Sequence, residues 1–199
     1  MGKGDLTRQN ILDRAVGLAG LLGLEGLTIG RLADELKLSR SGLFAHFRSK
    51  ETLQLQVLST AALQFTDGVI RPAVQAPRGL PRVQALFERW LMWLKDGNSG
   101  GCIFIATSVE LDDKPGPVRE ALVSIQREWA KTRARIAQTA VDQKHFRKNL
   151  DCEQFGHDMM SIILGFHYSA RLLGDAKAEE RARRAFRELI ERSSQPGKS

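Results

Sequence analysis

The stretch from Leu27 to Lys50, LTIGRLADELKLSRSGLFAHFRSK, constrains the fold more than any other part of this chain. Thr28 is placed to cap a helix through its hydroxyl. Ile29, Leu32, Ala33 and Leu36 then recur at i, i+3, i+4 and i+7, which makes one apolar helical face. Lys37 and Leu38 break that pattern, and Ser39 is a fresh cap for a second short helix from Arg40 to Phe47. Leu43 and Phe47 can face inward there, leaving Arg40, Ser41, Phe44 and His46 to point elsewhere. A short cationic helix propped on another across a tight turn is helix-turn-helix geometry, in which the second helix enters the major groove. The expectation is a chain that binds duplex DNA.

Helical periodicity dominates the rest. Residues 7–23 read as a first helix with Ile11, Leu12, Ala15, Leu18, Ala19 and Leu22 on one face and Gly23 as its C-cap. The glycines at 17, 20, 23 and 26 do not make a phosphate loop, since no strand precedes them and no Gly-Lys-Ser/Thr follows. Ser49 caps a fourth helix, about 50–70, carrying Leu53, Val57, Leu58, Ala61, Phe65 and Val69. Arg71-Pro72 to Pro81 reads as a loop, followed by a helix over 82–96 that Asp96 to Gly101 closes. Residues 102–111 are β-prone by type, but their context favours a short helix. Asp112 to Pro117 is a second loop, and three long helices follow near 117–144, 152–173 and 177–193. The fold class is therefore all-α, with about nine helices. A three-helix module (1–48) precedes a larger helical domain (49–193), and 194–199 reads as a disordered tail.

Composition narrows the function classes. Of 199 residues 42% are hydrophobic and 27% charged, enough apolar content for a substantial core. The net charge of +7 and pI near 9.8 favour a polyanionic partner. Cys102 and Cys152 are too few for a disulfide framework and read as free thiols of a cytoplasmic protein. No apolar run reaches membrane-spanning length, so no membrane partner is expected. Neither cysteine lies in a nucleophile motif, although His157 and His167 are candidate bases. Glu153 and His157 share a helix face at i, i+4, but two ligands do not make a metal site. No catalytic residue, metal or cofactor is expected.

The head resembles the DNA-binding region of the TetR (tetracycline-repressor-like) family of bacterial transcription regulators. The resemblance rests on Gly23, Thr28-Ile29, Ala33 and the run from Ser39 through Leu43, His46 and Phe47 to Ser49-Lys50-Glu51. Farther on, Gly101-Cys102 and Pro117-Val118-Arg119 are similar to one subgroup's regulatory domain. Two positions depart from the family pattern. Phe44 replaces a common Tyr, removing a hydroxyl that would reach phosphate, and Lys37 stands where Gly is common. A left-handed backbone at Lys37 would cost on the order of 1 kcal/mol.

The resemblance implies a sequence-specific transcriptional regulator, a repressor released from a palindromic operator by a small-molecule effector. Thr28 and Lys50, at helix N-termini, are expected on phosphates, and His46 likewise. Arg40 and Ser41 are placed for base edges, Gly42 for close approach, and Phe44 for a thymine methyl or sugar. The family implies an effector pocket in the second domain, for which Phe65, Trp90, Trp93, Phe104, Trp129, Arg133, Met159 and His167 are candidates. It also implies a homodimer through the last two helices, where Phe155, Ile162, Phe166, Ser169, Phe186 and Ile190 are candidates. The same stripes suit packing within one subunit. Rival readings are a transcriptional activator, a non-specific DNA architectural protein and, with less support, a small helical enzyme.

Overall fold

The computed structural model describes residues 3–96 and 101–195, and these are helical almost throughout. The helices are α1 (Lys3–Leu22), α2 (Ile29–Leu36), α3 (Arg40–Phe47), α4 (Lys50–Phe65), α5 (Arg71–Gln75), α6 (Leu80–Asp96), α7 (Ile103–Glu110), α8 (Pro117–Asp142), α9 (Cys152–His167) and α10 (Ala178–Ser193). A π-helical turn, Thr66–Ile70, joins α4 to α5 without a break, and another, Tyr168–Leu172, prolongs α9. The described residues thus form nine continuous helical rods. Their only strand-like pairing is an isolated antiparallel bridge between Phe146 and Ser194.

Local chemistry sets the boundaries. Asp151 caps α9 by accepting from the amides of Glu153 and Gln154. Gly23 ends α1 with φ +76°. Two prolines correct the expectation of a loop from Arg71 to Pro81. In a straight α-helix the Pro72 ring would collide with the carbonyl four residues back, at Gly68. Gly68 lies in the π turn, where the hydrogen-bond register is wider, so the helix continues to Gln75. Pro81 falls in the first turn of α6, where its missing N–H would have had no partner. Only residues 76–79 are non-helical between these rods, and Gly79 (φ +98°) turns the chain with its amide on Thr139 Oγ1, 3.2 Å away. At the chain end, the Ser194 amide bonds Ile190. The rest of the expected tail, 196–199, and residues 97–100 of the expected loop after α6 lie outside the described residues.

Two compact units emerge, Met1–Phe65 with Asp96–Ile125, and Thr66–Lys95 with Gln126–Ser199. In the first, α1 packs on α4 and α7, and α2 packs on α3. Its core takes Ile11, Leu12, Ala15 and Ala19 from α1, Leu32 and Ala33 from α2, Leu43 and Phe47 from α3, and Leu53, Val57 and Ala61 from α4. These are the positions that the 3.6-residue period picks out. In the second, α9 packs on α10. Phe87 stacks on Phe186 with ring centroids 3.8 Å apart, and Phe146 meets Phe155 at 5.0 Å. Burying each such ring contributes about 1.5–3 kcal/mol. No helix among the described residues is long and apolar enough to cross a membrane.

Candidate functional site

The reading head is built by three hydroxyl caps and two positive-φ turns, at Lys37 and Arg48. Thr28 Oγ1 accepts from the Arg31 amide at 3.1 Å and starts α2. Lys37 closes α2 in the left-handed region (φ 54°, ψ 39°), with the Leu38 amide returning to the Ala33 carbonyl at 3.0 Å. Ser39 Oγ accepts from the Gly42 amide at 3.1 Å and starts α3, and Ser49 Oγ accepts from Thr52 at 3.0 Å and starts α4. Leu43 and Phe47 are fully buried and lock α3 onto the core. All seven residues expected on DNA (Thr28, Arg40, Ser41, Gly42, Phe44, His46 and Lys50) are exposed in this unit. Phe44 is the clearest case, a large apolar ring left 57% exposed. Gly42 also serves the cap, since a Cβ there would lie 2.9 Å from Ser39 Oγ.

Two of these cations have partners that sequence reasoning missed. Arg40 pairs with the Asp34 carboxylate, 3.2 Å away, and Lys50 lies 3.6 Å from Glu25. Both pairs are exposed, so each is worth about 0–1 kcal/mol. Neither pair contributes much to the stability of the fold.

The loop entering α2 is clamped from two helices of the same unit. Glu110, the last residue of α7, accepts from the amides of Leu24 (2.8 Å) and Glu25 (3.3 Å). Gln54 of α4 donates to the Leu24 carbonyl at 2.9 Å. Gly23 takes a positive φ that L side chains rarely adopt, and a Cβ there would lie 1.6 Å from Glu110 Oε1, so the clamping carboxylate would have to move. The sequence signal for this contact was slight, because Glu110 and Leu24 are 86 positions apart.

The effector-pocket candidates divide between the units. Phe65 and Phe104 meet edge-on in the first, ring centroids 6.2 Å apart. Trp90, Trp93, Trp129, Arg133, Met159 and His167 belong to the second. Trp90, Trp129 and Met159 are buried there, and Trp93 is half-buried. Arg133 retains only 9% of its accessible surface. Its guanidinium lies 5.6 Å from the Trp90 ring centroid, and its Nε donates to the Gly156 carbonyl at 3.1 Å. Burial lowers its pKa to about 10, which leaves it cationic at neutral pH. Arg133 Nη1 and His167 Nε2 are both buried without a hydrogen-bond partner. Burial first, then the charge of Arg171, lowers the His167 pKa. No group of three or more His, Cys, Asp or Glu among the described residues has the arrangement of a metal site.

Comparison with known proteins places this geometry in a family. Residues 11–57 match the family described as bacterial regulatory proteins, tetR family. Residues 79–186, more than half of the 199, match the tetracyclin repressor-like C-terminal domain. The chain belongs to the TetR family. Among solved structures it is similar to a TetR-family transcriptional regulator from Cytophaga hutchinsonii, at 18% identity and TM-score 0.84 over 100% of this chain and 99% of that one. A TetR transcriptional regulator from Chloroflexus aurantiacus J-10-FL is 23% identical, TM-score 0.84, over 96% of each chain. AibR, solved in complex with isovaleryl coenzyme A and operator DNA, is 19% identical, TM-score 0.74, over 91% of this chain and 96% of that one. No curated protein matches the sequence.

Within this TetR-family chain, the residues expected at a dimer interface fall into two groups. Phe155, Phe166 and Phe186 are buried inside the subunit, where Phe155 packs on Phe146 and Phe186 on Phe87. Ile162, Ser169 and Ile190 are half-buried. The apolar residues that α9 and its π-helical extension leave outward are Leu164, Tyr168 and Leu172, at 40%, 54% and 71% exposure and four-residue spacing. Gly165 beside them faces open space.

Proposed function

We propose that this chain is a repressor that grips a palindromic operator as a homodimer and releases it when a small molecule occupies the helical domain of residues 49–193. The carrying observation is α3. It is capped by Ser39 and pinned by Leu43 and Phe47, so that Arg40, Ser41, Phe44 and His46 stand exposed on a rigid helix. Arg40 reads a guanine edge, Ser41 a neighbouring base, and Phe44 a thymine methyl or sugar. Thr28, Lys50 and His46 take phosphates, and Gly42 lets the helix come close. The head of residues 1–48 alone covers few base pairs, so two copies about 34 Å apart are needed to read a palindrome. Leu164, Tyr168 and Leu172 supply the outer apolar face through which two copies join.

The structure of AibR with both isovaleryl coenzyme A and operator DNA supports the reading that this fold serves an effector and an operator together. Release follows when the effector favours the state that binds DNA less well, and its strength is bounded by its differential affinity for the two states. The unbroken helix from Lys50 to Gln75 supplies the mechanical link. Such a regulator works in the cytoplasm and needs neither cofactor nor catalytic residue. Selection from a random duplex pool tests the reading, with an inverted repeat as the expected product. Recovery of salt-sensitive, sequence-independent binding alone would support an architectural protein, and rising transcription from the selected site would make the chain an activator.

A further inference from the structure

We propose that the effector carries an anionic group, a carboxylate in the simplest case, and that Arg133 receives it. This rests on the reading of the helical domain as the effector-binding part. In the unit that contains Arg133, several more exposed arginines have carboxylate partners. Arg183 has Glu88 and Glu179, Arg192 has Asp158, and Arg181 has Asp175. All three keep more than a third of their side-chain surface exposed, so water would serve them if the acids did not. Arg133 is the one buried arginine among the described residues and has no acidic partner there within salt-bridge distance. The need runs the other way, because an unpaired charge costs most where water is excluded.

Arg133 is not an inert packing residue. The Gly156 carbonyl satisfies Nε and the Trp90 ring faces the guanidinium, yet Nη1 is left with a buried, unused donor. A planar guanidinium with a free N–H is suited to a carboxylate oxygen. A cleft of about 350 Å³ opens between α8 and α9 next to Arg133, lined also by Arg127, Lys131, Glu153, Gly156, His157 and Met160. At that opening Lys131 is already paired with Glu128 and Glu153 adds a carboxylate, so Arg127 is the cation that joins Arg133 in favouring an anion.

The experiment is thermal unfolding of the full-length chain with sodium octanoate and sodium benzoate. Octanamide and benzamide at the same concentration, in sodium chloride of matched ionic strength, are the neutral counterparts. Either acid is expected to raise the wild-type melting temperature by about 2–4 °C more than its amide. That difference should vanish in Arg133→Met and shrink in Arg133→Lys, which keeps the charge without the fork. Equal shifts by acids and amides in the wild type, including no shift by any, would overturn the proposal. So would an acid advantage that survives in Arg133→Met. Should Arg133→Met fail to fold, the wild-type comparison and Arg133→Lys decide alone. Operator release in the same samples keeps the two readings apart: acids that stabilise through Arg133 without releasing DNA would leave this site standing and sink the effector-released repressor.

Discussion

Arg40 has one partner in the free protein, the Asp34 carboxylate, and a second in the proposed complex, a base edge. The two compete for the same guanidinium. Arg40→Ala is expected to cost about 1–3 kcal/mol at the selected operator and to relax sequence preference at one or two positions. Repeating the site selection with the variant checks this, and an unchanged selected sequence would remove Arg40 from base reading. Asp34→Asn should strengthen DNA binding about 2–5-fold, since the exposed pair is worth little and a negative charge leaves the interface. Titration of operator DNA by anisotropy measures that change. His167 gives a pH dependence whose sign is fixed. Its pKa is lowered in the folded chain, so below its ordinary value near 6.5 the unfolded chain takes up the proton first. Stability should therefore fall with pH from about 6.5 down to the lowered folded value, and urea unfolding of His167→Gln should show a weaker fall over that window.

At the level of elements, the clamp on the loop between α1 and α2 ties α7 to the reading head. Glu110→Ala leaves the Leu24 and Glu25 amides without their acceptor and should cost about 1–3 kcal/mol of stability. Gly23→Ala should cost more than that, because it adds a positive-φ penalty to a collision with the same carboxylate. Denaturant unfolding ranks the two, and equal stability of Gly23→Ala and wild type would refute the clamp.

Much of this level was legible because its causes are local. Thr28, Ser39, Ser49 and Asp151 each act on an amide within three residues, and a 3.6-residue period locates Leu43 and Phe47 on the buried side of α3. The turn at Pro72 was misread, since a π turn depends on hydrogen-bond register and leaves no mark in residue type. The partners of Glu110 and Arg40 were missed for a different reason: tertiary pairing selects among many acids and amides that the sequence presents alike. In α9, apolar residues occupy more than one face, so periodicity alone does not tell which stripe the subunit keeps. The structure gives Phe155, Met159 and Ile163 to the core and leaves Leu164, Tyr168 and Leu172 outside.

For the whole molecule, that outer stripe carries the proposed assembly. Leu172→Glu sits where no core packing is lost, so the unfolding free energy of the monomer should move by less than about 0.5 kcal/mol. Sedimentation is expected to show monomers, and operator affinity should fall at least tenfold because the two heads no longer bind as a pair. A Leu172→Glu dimer with full affinity would place the interface elsewhere. The first compact unit is discontinuous, made of Met1–Phe65 and Asp96–Ile125. Its buried Phe104 and the Glu110 carboxylate arrive only with the second stretch. Vectorial synthesis at about 5–20 residues per second then separates Phe65 from Glu110 by about 2–9 s. Throughout that interval the loop entering α2 lacks its carboxylate and is held only by the Gln54 amide, so the last turn of α7 completes a head whose other helices were made seconds before.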